Sequence, residues 1–143
     1  MAEYMKSGLR RPIRAKVDKR LVKIKGTGQA VVVSLTAGSI TDADQIERIH
    51  RQINHLVEEN KPKKLIVDFQ NVRFFSSQML GMLVGLRTKL QKYQAEVIIS
   101  AIDPQLHRIF RITNLDKLFK FFQNTEQAVK ETADEDSGQR KFQ

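Results

Sequence analysis

The chain has 143 residues, 41% of them hydrophobic, with no cysteine and a formal net charge of +9. That length suits one domain with its own core and is short for two, and the lack of cysteine excludes disulfides, thiolate metal sites and a thiol nucleophile. No apolar run approaches the ~18 residues that cross a bilayer, and the N-terminal stretch has no signal-peptide core, so no membrane insertion and a cytoplasmic location are expected.

The charge sits at the front. Residues 1–25 hold nine basic side chains against two acids, a net +7, whereas the remainder carries only +2. Residues 1–19 are expected to form a basic flexible arm, because Gly8 and Pro12 interrupt the pattern and no apolar period is sustained. Such an arm can touch nucleic acid, anionic lipid or an acidic partner, or simply be solvated. It lacks the interleaved aromatics that stack bases, Tyr4 being alone there, which argues against nucleic acid.

Leu21-Val22-Lys23-Ile24-Lys25 alternates, Gly26-Thr27-Gly28-Gln29 reads as a turn, and Ala30-Val31-Val32-Val33-Ser34-Leu35 runs apolar. This predicts a hairpin feeding a more buried strand. Thr41 or Asp42 is placed to cap a helix that carries Ile46, Ile49, Ile53 and Leu56 at helical spacing, with Asn60 and Pro62 stopping it. Lys64 to Phe69 is a short apolar run suited to a strand covered on both faces. After a loop, a helix is expected from about Ser77 to Tyr93. Val97 to Ile102 predicts another buried strand, and Asp103-Pro104 opens a helix with Leu106, Ile109 and Phe110 that stops near Asn114. Leu118 to Phe122 reads as a last short strand. Asn124 or Thr125 caps a final helix containing Ala128 and Val129, and residues 133–143 are expected to be a disordered tail. The order ββαβαβαβα predicts a single α/β domain over residues 20–132, with a mixed, mostly parallel sheet, an N-terminal β-hairpin and about four helices.

The most informative stretch is the turn into the second helix, where Ser76 and Ser77 follow Val72-Arg73-Phe74-Phe75. Backbone N–H groups at a helix start are unpaired donors, so a serine there can cap the helix. The same donors and the positive end of the helix dipole also favour a phosphate ester. Both readings stand: Ser77 as a regulatory phosphoacceptor, with Ser76 as the lesser candidate, or the pair as cap and packing. Wound at about 100° per residue, the helix places Met79, Met82, Leu83, Leu86, Leu90 and Tyr93 on one side, and Leu80 and Val84 widen the apolar arc to roughly 200°. Methionines suit adaptable partner surfaces, so Met79 and Met82 are expected to face a partner unless the sheet and neighbouring helices cover the whole arc. Gly81 and Gly85 lie four apart and permit close packing.

An apolar strand ending in Asp68, then Val72-Arg73-Phe74-Phe75, two serines, and Leu80-Gly81 resembles the STAS domain of anti-sigma-factor antagonists. The family run is an aromatic, an apolar residue, then Asp-Ser-Ser-Gly-Leu-Gly. Laid without a gap, its Asp falls on Ser76, its phosphorylated Ser on Ser77, its second Ser on Gln78 and its Gly on Met79, while Leu80 and Gly81 match outright. The element order over about 20 to 132 agrees as well. The resemblance implies a non-enzyme that docks on an anti-sigma factor, often itself a serine kinase, and is released when that kinase phosphorylates Ser77; a separate phosphatase restores binding. It places Val72, Phe74, Phe75, Ser76, Gln78, Met79 and Met82 at the partner surface, with Asp68, Leu80 and Gly81 as structural neighbours. The chain needs no cofactor of its own, since ATP and Mg²⁺ belong to the kinase. Ser76 in place of the acid and Gln78-Met79 in place of Ser-Gly are departures from the pattern. They favour a second reading, a scaffold or homo-oligomer subunit that is never phosphorylated. A third is a nucleic-acid-binding protein led by the arm.

No catalytic or metal constellation is expected. His50 and His55 are five apart on one helix, and His107 is remote. Gly26-Thr27-Gly28 lies in a hairpin without a following Lys-Ser/Thr, so it is a turn rather than a phosphate loop. Asp68 is expected to hold its loop by hydrogen bonding, Asp103 to cap a helix, and Glu58-Glu59 to be solvated.

Overall fold

Alternating residues in the first apolar segment form β1 (Val22–Thr27), which pairs antiparallel with β2 (Ala30–Leu35). The computed structural model describes residues 21–27 and 29–132; the expected arm over 1–19 and the expected tail over 133–143 lie outside the described residues. Gly26 and Thr27 pair with Val31 and Ala30, so the hairpin turns more tightly than the four-residue turn expected from the sequence. β3 (Ser39–Ile40) precedes α1 (Ala43–Asn60). β4 (Lys64–Asp68), β5 (Phe74–Phe75) and α2 (Ser77–Gln91) follow, then β6 (Glu96–Ser100) and α3 (Pro104–Ile112). A 3-10 turn (Leu115–Leu118), β7 (Lys120–Phe122) and α4 (125–132) complete the described chain.

The main sheet has the order β1-β2-β4-β6-β7, with every pair after the hairpin parallel. Because side chains alternate across a strand, the sheet has two distinct faces. Val33, Leu35, Leu65, Val67, Val97 and Ile99 meet α1, α2 and α3 in the main core. Val32, Ile66 and Ile98 point the other way and are covered by Ala128 of α4. This is the mixed α/β arrangement expected from the residues, with an antiparallel hairpin and four α-helices among the described residues.

Helix ends follow their side chains. Asp42 accepts the Gln45 N–H at 3.0 Å, Asp103 that of Gln105 at 2.9 Å, and Asn124 that of Gln127 at 2.7 Å. Lys61, not Asn60, takes the left-handed conformation (φ 44°) that ends α1, and its N–H reaches Val57 O at 2.8 Å. Other boundaries differ by a residue or two. α2 ends at Gln91 rather than Tyr93, β6 stops at Ser100 because Ala101 takes φ 56°, and β7 begins only at Lys120 because Leu115–Leu118 winds into a 3-10 turn. The short parallel pair β3–β5 has no counterpart in the expected order; it joins Ser39 to Phe74 and Ile40 to Phe75.

Candidate functional site

The loop from β4 to α2 is held at both ends. Asp68 closes the strand with one carboxylate oxygen accepting the Gln70 N–H at 2.9 Å and the other accepting the Ser34 hydroxyl at 3.2 Å. Phe69 and Val72 then turn inward, with Val72 N–H donating to Phe69 O at 3.0 Å. Arg73 and Phe74 both donate their N–H to Gly38 O, at 2.7 and 3.1 Å. In the β5 pair the pleat sends successive side chains opposite ways. The Phe75 ring lies edge-on against Phe69 and Phe110, each with centroids 6.0 Å apart, while Phe74 is 66% exposed. Arg73 reaches Asp103 at 3.6 Å, tying the loop to the start of α3.

The two serines differ sharply. Ser76 is the N-cap residue of α2 (φ −91°, ψ 167°) and donates its N–H to Ile40 O at 3.1 Å. Its hydroxyl is buried with no hydrogen-bond partner and makes no cap, contrary to the capping role open to it in the sequence. Ser77, the first helical residue, is exposed. The first turn of α2 holds no acidic side chain; the Met79 N–H already donates to Ser76 O at 3.0 Å, which leaves the N–H groups of Ser77 and Gln78 and the positive helix end to face an arriving anion. A hydroxyl here is open to a modifying enzyme, and a phosphate on it would sit beside those donors.

Of the residues expected at a partner surface, Phe74 and Gln78 are exposed and Phe75 and Ser76 half-buried. Val72, Met79 and Met82 are not available: they are 1%, 0% and 6% exposed. Val72 fills the space beneath the loop. The methionines are covered because α2 is enclosed from two sides, by the sheet and by the Ile46–Ile49–Ile53 side of α1, which together account for the broad apolar arc. Leu80 is likewise buried. Gly81 and Gly85 are exposed, and a Cβ at either would meet nothing within 4 Å, so among the described residues no element packs closely on them as the spacing suggested. The surface beside Ser77 also takes in Glu47 and His50 of α1, which share a shallow cleft with Gln78, Gly81 and the edge of Met82. Their one sequence signal is their place beside Ile46 on the first turns of an amphipathic helix. Among the described residues no group of three His, Cys, Asp or Glu is placed to hold a metal, and no helix is long and apolar enough to cross a membrane.

The family model of the STAS domain matches residues 21–128, nearly the whole described fold and the serine-bearing turn with it. The chain belongs to the STAS domain family. A STAS-domain containing protein of Pseudomonas aeruginosa (strain UCBPP-PA14) is 32% identical over 59 residues, 41% of this chain. That match spans 58% of the relative's own length, less than two thirds of it. The anti-sigma F factor antagonist of Paenibacillus polymyxa is 18% identical over 103 residues, covering 72% of this STAS chain and 87% of the relative. The solved anti-sigma factor antagonist SpoIIAA, in its unphosphorylated form, superimposes with a TM-score of 0.69 at 19% identity, covering 78% of this chain and 96% of that one. Its phosphorylated form, from Bacillus, gives 0.63 over the same share of this chain.

Proposed function

We propose that this STAS protein is an anti-sigma-factor antagonist, a non-catalytic ligand that docks on an anti-sigma factor with serine-kinase activity in the cytoplasm. Phosphorylation of Ser77 by that kinase ends the interaction, and a phosphatase restores it. The observation that carries the reading is the exposed Ser77 at an uncapped, acid-free start of α2, beside the outward ring of Phe74. The names of its relatives point the same way, and SpoIIAA is a protein with both unphosphorylated and phosphorylated forms.

The switch is electrostatic. A phosphoserine brings on the order of −1.5 to −2 charges at neutral pH. The free N–H groups of α2 stabilise that charge within the chain, but a docked protein surface strips its hydration. A penalty of only ~3 kcal/mol weakens binding more than a hundredfold. No distant conformational change is needed. The docking surface is Arg73, Phe74, Ser77, Gln78 and Gly81, flanked by Glu47 and His50 on α1. ATP and Mg²⁺ are the kinase's, not this chain's.

Intact-mass and peptide mapping of the protein purified from its own host tests this directly: one phosphate is expected, at residue 77. In a pull-down from the same host, Ser77→Ala retains the kinase-like partner and Ser77→Asp loses it. A Ser77→Asp protein that binds as well as the parent removes the switch. One observation favours a second reading, a constitutive scaffold or homo-oligomer subunit: Ser76 stands where the family carries an acid, and its hydroxyl makes no cap. That reading predicts no phosphate at residue 77 and equal binding by both variants.

A further inference from the structure

On the face of the sheet away from α2, a groove of about 650 Å³ opens between the β1–β2 hairpin and α4. The strand register builds it. Lys23 lies opposite Ser34, Ser34 opposite Asp68, and Asp68 opposite Ser100, so a polar row crosses four strands at the carboxyl end of the parallel ones. Ser34 donates to Asp68 at 3.2 Å, and Ser100, fully buried, lies 2.7 Å from the hydroxyl of Thr125 at the start of α4. Next to this row the groove is apolar at Val32 and Val129; Ile24 also borders it, but its side chain, opposite Val33, belongs to the other face of the sheet. Lys23, Lys25 and Lys130 stand exposed around it, with Glu126 on the same rim.

Two general facts bear on such a groove. Open α/β sheets take ligands at the carboxyl ends of their strands. Small-molecule sites are concave, mostly apolar and about 300–1,000 Å³, with a few convergent polar groups. The charge pattern narrows the ligand. Three ammonium groups face two carboxylates, Asp68 and Glu126, and Asp68 is already occupied by two hydrogen bonds. The balance of one positive charge suits a single anionic group, and a polyphosphate would meet both carboxylates. The apolar floor requires a hydrocarbon body beside that anion.

We propose that this groove binds a medium-chain fatty acid, its alkyl chain over Val32, Val129 and the methylene stems of Lys23 and Lys25, and its carboxylate among the ammonium groups of Lys23, Lys25 and Lys130. The site is independent of Ser77: α2 packs on the opposite face of the sheet, so occupancy leaves the proposed docking surface free. Titrating decanoate into the full chain, followed by amide and methyl NMR, tests it. Saturable shifts are expected at Val32, Ser34 and Val129, below the concentration at which decanoate forms micelles. The triple variant Lys23→Glu, Lys25→Glu, Lys130→Glu keeps its thermal unfolding and loses affinity by on the order of tenfold or more, the scale of one charge-assisted hydrogen bond. Decanol and decylamine bind correspondingly more weakly than decanoate.

The proposal is overturned if shifts do not saturate, if they map to the α1–α2 cleft, or if the triple variant or decanol binds as well as the parent pair. Deleting residues 133–143 separates one more occupant. If the deletion itself moves the groove signals and creates decanoate binding that the full chain lacks, the groove belongs to the chain's own Asp134-Glu135-Asp136 segment, and the fatty acid is ruled out.

Discussion

At the start of α2 the adjacent serines can be separated by stability measurements alone. A serine that caps a helix costs about 0.5–2 kcal/mol when replaced by alanine. Ser76 makes no cap bond, and its enclosed hydroxyl carries an unmet desolvation cost. Ser76→Ala is therefore expected to leave urea-unfolding stability unchanged or to raise it by up to ~1 kcal/mol; a loss of that size would mean the hydroxyl does cap α2. The phenylalanines beside it divide in the same way. Phe74→Ala should shift stability by no more than about 0.5 kcal/mol, the usual range for a surface change, yet weaken partner binding. Phe75→Ala removes two edge-on ring contacts and should cost about 1–3 kcal/mol of stability. Much of this was legible beforehand, because a helix-start serine beside aromatics marks itself by residue type. What could not be read was which neighbours lie inward. Val72, Met79 and Met82 have the composition of a partner surface, and only the approach of α1 and the closure of the loop bury them.

Among the elements, the helix caps were the most legible features, since Asp42, Asp103 and Asn124 act through local bonds that need no tertiary context. The β3–β5 pair was invisible because two residues carry no period; its register is set by Gly38 O, Ile40 O and the packing of Phe75. The 3-10 turn before β7 was hidden for the same reason: Leu118 and Phe119 have strand-like composition, and tertiary packing decides between them. α2 offers a sharper test. Gly81 is exposed in a helix interior with room for a Cβ, so Gly81→Ala should stabilise the fold by about 0.5–1 kcal/mol. If the glycine is there to admit a partner's backbone beside Ser77, the same substitution weakens binding in a pull-down. Gain of stability with loss of binding is the expected pair; gain in both would remove Gly81 from the docking surface.

For the molecule as a whole, the parallel sheet was readable from the alternation of short apolar runs with amphipathic segments, and the family resemblance added its topology. The unequal cover of its two faces was not, because helix periodicity does not say on which side a crossover lands. Three helices pack on one side, whereas the described cover of the other is α4 alone, whose Ala128 rests on Val32, Ile66 and Ile98. Hydrogen exchange should accordingly show α4 opening at lower free energy than the central strands, as thinly packed units do. A chain ended at residue 124 would strip the α4 side chains Ala128 and Val129 from those three branched residues on adjacent central strands. Apolar strips of that kind find one another. Gel filtration of such a shortened protein should show more concentration-dependent self-association than the intact one, so α4 works as a chaperoning cover: the eight residues 125–132 shield one face of the sheet, while the three helices on the other carry the exposed turn at Ser77.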